Sequence, residues 1–133
     1  MKFLINITKE IIDKSLMCGT SEDIIPSQNC AFAIAFGNLI PNVNIGISKT
    51  FFCKDNKYNC GDTIINIDNT IEQMQFIKNF DRMKNNPQER YSLVGQTFQV
   101  EIPSEVIDYY YSDIAEAAQK IINSEILQLI DTI

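Results

Sequence analysis

The chain of 133 residues contains no histidine. That single absence removes Ser-His and Cys-His nucleophile pairs, imidazole general bases and histidine metal ligands together. Glycine is sparse, and Gly19, Gly37, Gly46, Gly61 and Gly95 stand singly, so no glycine-rich loop is present to cradle phosphates. The four cysteines, Cys18, Cys30, Cys53 and Cys60, are separated by eleven, twenty-two and six residues, and none forms a C-x-x-C pair. No metal and no cofactor is therefore expected, convergence of distant thiolates being the remaining route to zinc. The cysteines are expected as thiols in a reducing compartment, with Cys30 a small core residue. Bases are scarce in one region alone. From Tyr91 onward the acids Glu101, Glu105, Asp108, Asp113, Glu116, Glu125 and Asp131 face the single base Lys120, whereas residues 1–90 balance at ten acids and ten bases. All of the net charge of −6 thus lies in the last third.

A hydrophobic content of 45% with 21% charged residues is ordinary globular composition. One domain spanning residues 1–133 is expected, large enough to bury a core without staples. The opening Met1–Glu10 stretch reaches charge too soon for a signal peptide or a membrane helix, so the expectation is a cytoplasmic protein with no membrane partner. The longest uncharged apolar run that the chain can be organised around is Cys30-Ala31-Phe32-Ala33-Ile34-Ala35-Phe36. Its alternation of bulky and small residues suits a strand, but three alanines and the spacing of Phe32, Phe36, Leu39 and Ile40 favour a buried central helix, ending by Ile40 because Pro41 follows. Ser27 or Asn29 would cap it, after a polar Thr20–Pro26 loop anchored by Ile24 and Ile25.

Around this run the pattern predicts a strand at Phe3–Ile7, then a helix from Lys9 to about Met17 capped by Thr8 and ended by Gly19. Val43–Ile47, Lys49–Cys53 and Thr63–Ile67 read as an antiparallel meander, with Asn59-Cys60-Gly61-Asp62 as a turn. A helix capped at Asp68, Asn69 or Thr70 presents Ile71, Met74, Ile77 and Phe80, and a loop through Pro87 and Gly95 follows. Phe98, Val100 and Ile102 alternate as a strand that Pro103 ends. A short helix runs from Ser104-Glu105 through Tyr111. A last helix, capped by Ser112 or Asp113, carries the stripe Ile114, Ala118, Ile121, Ile122, Ile126, Leu129, Ile130 and Ile133, with a break at Asn123-Ser124. The expected class is α+β: a small, mainly antiparallel sheet packed with four to five helices around the central one.

Gln28-Asn29-Cys30-Ala31 at a helix start resembles papain-like hydrolases, but the missing histidine leaves such a thiol without its base, and Cys30 is expected to be structural. Carboxylate chemistry remains open, with or without magnesium, because seven acids share one region. The plain alternative is that Glu101, Glu105, Asp108, Asp113 and Glu116 are first-turn acids and solvated faces. Their company, Tyr109-Tyr110-Tyr111, favours a contact surface: tyrosine offers stiff, amphipathic area, and three in a row cannot all face one core. The expected partner-binding set is therefore Glu101, Glu105, Asp108, Tyr109, Tyr110, Tyr111, Asp113 and Glu116, directed at a protein with a basic surface. The same charge argues against direct binding of nucleic acid.

The segments Ile7–Ile12, Asn29–Ala35, Ile40–Val43 and Phe98–Ile107 resemble a family of small uncharacterised proteins of bacterial genomes and mobile elements, which implies a shared fold more than a shared activity. In size and general character the chain also resembles anti-CRISPR inhibitors, such as those of a type VI RNA-guided RNA nuclease. That likeness implies a non-enzymatic inhibitor in a bacterial host cytosol. The alternatives are a small carboxylate-dependent, metal-assisted hydrolase or nuclease, and a structural subunit that forms a homodimer through Ile126–Ile133.

Overall fold

The computed structural model describes residues 1–18, 31–37, 39–54 and 62–131. The expected Thr20–Pro26 loop, the caps Ser27 and Asn29, the stop at Gly19, Cys30, most of the 59–62 turn and the stripe's last residue Ile133 lie outside them. Among the described residues the architecture is α+β, with two small antiparallel sheets rather than the one that was expected.

The first sheet is built on β1 (Lys2–Asn6), in which Phe3 and Ile5 point inward and are fully buried. β1 lies between β5 (Thr97–Glu101) and β6 (Leu127–Asp131), antiparallel to both. The Met1 ammonium extends this pairing by donating to the Ile102 carbonyl at 3.0 Å. The second sheet is the expected meander, β2 (Val43–Ile45), β3 (Lys49–Cys53) and β4 (Thr63–Asp68), each strand antiparallel to the next.

The first helix, α1 (Lys9–Cys18), starts where expected, with the Thr8 hydroxyl accepting from the Ile11 amide and Ile11 and Ile12 fully buried. The central run forms α2 (Ala31–Phe36), with Ala31, Phe32, Ala35 and Phe36 buried on the face that helical spacing sets aside. It ends before Ile40. The amides of Leu39 and Ile40 both donate to the Phe36 carbonyl at 2.8 Å, which closes the helix and still delivers both side chains to the core. The aromatic rings show why α2 is central. Phe36 meets Phe3 of the first sheet edge-on at 6.0 Å and Phe52 of the second at 5.7 Å. Phe32 meets Phe98 of the first sheet at 5.1 Å and Phe76 of α3 (Ile71–Arg82) at 5.1 Å. One short helix thus joins both sheets and α3 in a single buried cluster.

Expectations for α3 and the loop after it are corrected. On α3 the buried stripe is Phe76, Ile77 and Phe80, whereas Ile71 is 66% exposed and Met74 half-buried. The first turn projects past the core and is held by a capping box, the Thr70 hydroxyl accepting from the Gln73 amide and the Gln73 side chain accepting from the Thr70 amide. The loop after α3 contains two 3-10 segments, Met83–Asn85 and Pro87–Leu93, because Pro87 pre-sets a helical φ and Arg90 is buried against Phe80, its guanidinium carbon 3.8 Å from the ring centroid. Gly95, at φ +99°, then turns the chain into β5, a conformation that side-chain-bearing residues rarely adopt.

The largest correction is at the C-terminal end. After α4 (Ser104–Tyr110), the expected long helix is α5 (Ile114–Ile122) followed by the strand β6. Asn123 closes α5, and the Ser124 hydroxyl accepts from the amides of Ile126 and Leu127, so the helix stops where polar side chains compete for the backbone. β1 then offers an open edge that β6 fills.

Cys53, fully buried at the end of β3, is disulfide-bonded, its partner lying outside the described side chains. The expectation of four thiols is corrected accordingly, since a disulfide depends on two Cβ atoms approaching in space and not on their spacing in the chain. Among the described residues no helix is long and apolar enough to cross a membrane.

Candidate functional site, an acidic corner at the end of β5, α4 and α5

Pro103 ends β5 and opens α4, so Glu101 stands at the sheet's end and Glu105 in the helix's first turn, where a carboxylate suits the helix dipole. Val106 and Ile107 turn inward, which leaves Glu105, Asp108 and Tyr109 on the outer face, all exposed. The three consecutive tyrosines divide. Tyr109 is 47% exposed, and its ring meets that of Tyr110 edge-on at 4.9 Å. Tyr110 is half-buried, its hydroxyl donating to the Cys53 carbonyl. Tyr111 leaves the helix in an extended conformation, and this swings its ring inward so that its hydroxyl donates to the Leu39 carbonyl. At 8% exposure Tyr111 is a core residue and not part of the outer surface, which corrects its place in the expected contact set. Burial, with Glu116 nearby, raises its phenol above the ordinary tyrosine value.

Asp113 and Glu116 are exposed but are also structural. The Asp113 carboxylate caps α5 by accepting from the Glu116 amide at 2.9 Å. Glu116 reaches back to the Ser112 hydroxyl at 2.7 Å and the Ser112 amide at 3.2 Å, and these bonds hold its carboxyl below the ordinary glutamate value. Glu101, Glu105 and Asp108 have no such role in holding a helix together. The region's lone base, Lys120, sits 5.4 Å from the Tyr111 ring centroid and forms no ion pair with any of these acids among the described residues. Among the described residues the acids of the corner form no ion pair, with Lys2 standing opposite Glu101 in the strand register, and they lie beside one exposed aromatic ring.

Among the described residues no group of three or more histidine, cysteine, aspartate or glutamate side chains is placed to hold a metal ion. A different arrangement, which no spacing in the chain announces, is a cavity beside this corner, where Glu101 and Pro103 meet residues of β4, α2 and the start of α3. Comparison with protein-family models, curated proteins and solved structures returned no match.

Proposed function

We propose that this chain is a non-enzymatic interaction protein whose acidic corner binds the basic surface of a nucleic-acid-handling effector and blocks its access to RNA or DNA, in the manner of an anti-CRISPR inhibitor. A type VI RNA-guided RNA nuclease is the kind of effector meant. The observation that carries this reading is the exposed set Glu101, Glu105, Asp108 and Tyr109, whose acids form no ion pair among the described residues and cap no helix. Such a surface steers a basic partner by its field and holds it by aromatic contact, while repelling nucleic acid itself.

The test is a pull-down of host proteins followed by binding kinetics over a salt series. Glu105→Gln with Asp108→Asn is expected to slow association and flatten the salt dependence, because exposed charges are screened over about 8–10 Å at physiological ionic strength. Tyr109→Ala is expected to act on dissociation, as loss of an anchor does. A captured partner that binds both variants with wild-type kinetics at every salt concentration would leave the corner as a solvated face only.

A second reading, self-association, is favoured by Ile122 and Ile130, exposed at 61% and 48% on the packed pair α5 and β6, with β6 an edge strand. Sedimentation of wild type against Ile130→Lys decides it: a dimer that the substitution dissociates supports this reading, and a wild-type monomer at all concentrations removes it.

A further inference from the structure

A cavity of about 360 Å³ lies between an edge strand of one sheet, β4, and an edge strand of the other, β5. Phe32 and Phe36 of α2, Ile67 of β4 and Val100 of β5 give it an apolar lining. The neighbouring carboxylates belong to the other face. Side chains alternate along a strand, so Asp68 turns away from Ile67 to Lys49 at 2.9 Å, and Glu101 turns away from Val100, opposite Lys2 in the register.

The outer edge of β5 is open, and the bonding pattern of β1 and β5 identifies its free groups. Met1 and Ile102 exchange both backbone bonds, at 3.0 and 2.9 Å. In an antiparallel pair bonded positions alternate with unbonded ones, so Phe3 with Val100 and Ile5 with Phe98 are bonded. Lys2 with Glu101, Leu4 with Gln99 and Asn6 with Thr97 are not. The Asn6 amide agrees, donating away from β5 to the Ile126 carbonyl at 2.9 Å. The N–H and C=O groups of Thr97, Gln99 and Glu101 therefore point out from the sheet. All three residues are exposed, and these groups have no protein partner among the described residues. β5 has no bulge, proline or lysine to blunt its edge. β6, the other edge of the same sheet, is bulged against β1, and its Leu127 amide is taken by Ser124.

We propose that the β5 edge takes up an extended segment of the basic partner as a fourth, antiparallel strand, with Thr97, Gln99 and Glu101 supplying the backbone ladder and an apolar side chain of the segment filling the cavity. A strand added at the usual spacing of about 4.8 Å carries its side chains in the same alternation as β5. A residue beside Val100 turns inward to the cavity, and residues beside Gln99 and Glu101 turn outward. The inward position calls for an aliphatic side chain, since the lining there is apolar. The outward positions call for lysine or arginine, because β5 carries an acid and no base and leads through Pro103 to Glu105 and Asp108 of α4. A second copy of this chain fits less well, as it brings the same acids and a net charge of −6 to the same edge. The basic character of the segment rests on the function proposed above, whereas the open edge and the cavity do not.

The experiment is amide hydrogen exchange of the intact protein with a blocked heptapeptide in which lysine alternates with valine and leucine. With the peptide at about ten times its Kd, exchange at Thr97, Gln99 and Glu101 should slow about tenfold, while Phe98 and Val100, already bonded to β1, change little. Methylating the lysine amide nitrogens, which face β5 in an antiparallel ladder, should abolish this protection. Gln99→Pro removes an outward N–H at an edge position without touching a bond to β1, and should abolish binding while the melting temperature stays near that of wild type. Glu101→Gln should weaken binding about twofold to fivefold, the size of one exposed charge contact. No protection at these amides, undiminished binding by the methylated peptide or by Gln99→Pro, or equal binding by a peptide with glutamate for lysine would each overturn the proposal. Concentration-dependent protection of the same amides without peptide would also overturn it, by giving the edge to a second copy. Should Gln99→Pro fail to fold, the methylated peptide decides on the wild type. Failure of the peptide leaves the acidic-corner reading standing. Conversely, wild-type partner binding by the Glu105 and Asp108 variant would remove that reading without touching the edge.

Discussion

The aromatic centre around α2 and the acidic corner around α4 use the same residue class in opposite ways. Around α2, Phe3, Phe32, Phe36, Phe52, Phe76 and Phe98 pack ring to ring in the interior, and what they fix is the relation of two sheets and a helix. In the corner three tyrosines adjacent in the chain are parted by helical spacing at Tyr109 and Tyr110 and by the extended backbone at Tyr111, one inward, one half-buried and one outward. Phenylalanine has nothing to present to water, so it goes where volume is needed. Tyrosine carries a hydroxyl that seeks an acceptor, and the two inner hydroxyls, by reaching the carbonyls of Cys53 and Leu39, tie the corner to the centre. The corner is therefore a surface held by its own buried members, and substitutions should separate its scaffold from its contact face.

The largest effect is expected at the centre. Phe36→Ala should cost about 3–5 kcal/mol, because its ring is lost from between the two sheets and the cavity cannot collapse without moving one of them. Chemical denaturation checks this, and a loss below about 1 kcal/mol would mean that α2 does not bridge the sheets.

Next comes the tie between the two regions. Tyr111→Phe keeps the ring but leaves the Leu39 carbonyl without its donor, at a cost of about 1–3 kcal/mol. Tyr109→Phe, at an exposed ring with no hydroxyl partner among the described residues, should stay within about 0.5 kcal/mol. If the two substitutions prove equal, the inward and outward assignments of these tyrosines are wrong.

The smallest effect concerns acid. The carboxyl of Glu116 is lowered by its bonds to Ser112, so its contribution is present above the ordinary glutamate value and is lost as pH falls through the lowered one. Asp13 behaves alike, lowered by the Tyr91 hydroxyl and then by Lys9. Asp81 runs the other way, because partial burial raises it and protonation relieves it as pH falls. Melting temperatures of wild type and Glu116→Gln should therefore differ at neutral pH and converge in acid. A constant gap across that range would show that the Ser112 bonds do not act through the charge.

Much of this was legible in the chain. Helix starts at Lys9 and Ile71, the meander from Val43 to Asp68, the strand ended by Pro103 and the cap at Asp113 all follow from local rules, in which a side chain satisfies or blocks a backbone group within three or four residues. The uneven charge was legible too, since counting needs no geometry. Local rules failed at Ile126–Ile130, where alternating and helical apolar patterns overlap and the deciding factor was an open edge of β1, far away in the chain. They also could not choose among Tyr109, Tyr110 and Tyr111, whose burial depends on carbonyls at Cys53 and Leu39. The disulfide at Cys53 and the cavity joining Asp68 to Glu101 belong to the same kind. The amino-acid sequence by itself determined where backbone groups are capped, which faces are apolar and where charge accumulates, because those are properties of neighbours. Tertiary structure alone decided which edge takes the last strand, which tyrosine meets water and which residues line one cavity, because each depends on groups brought together only when the two sheets close over α2.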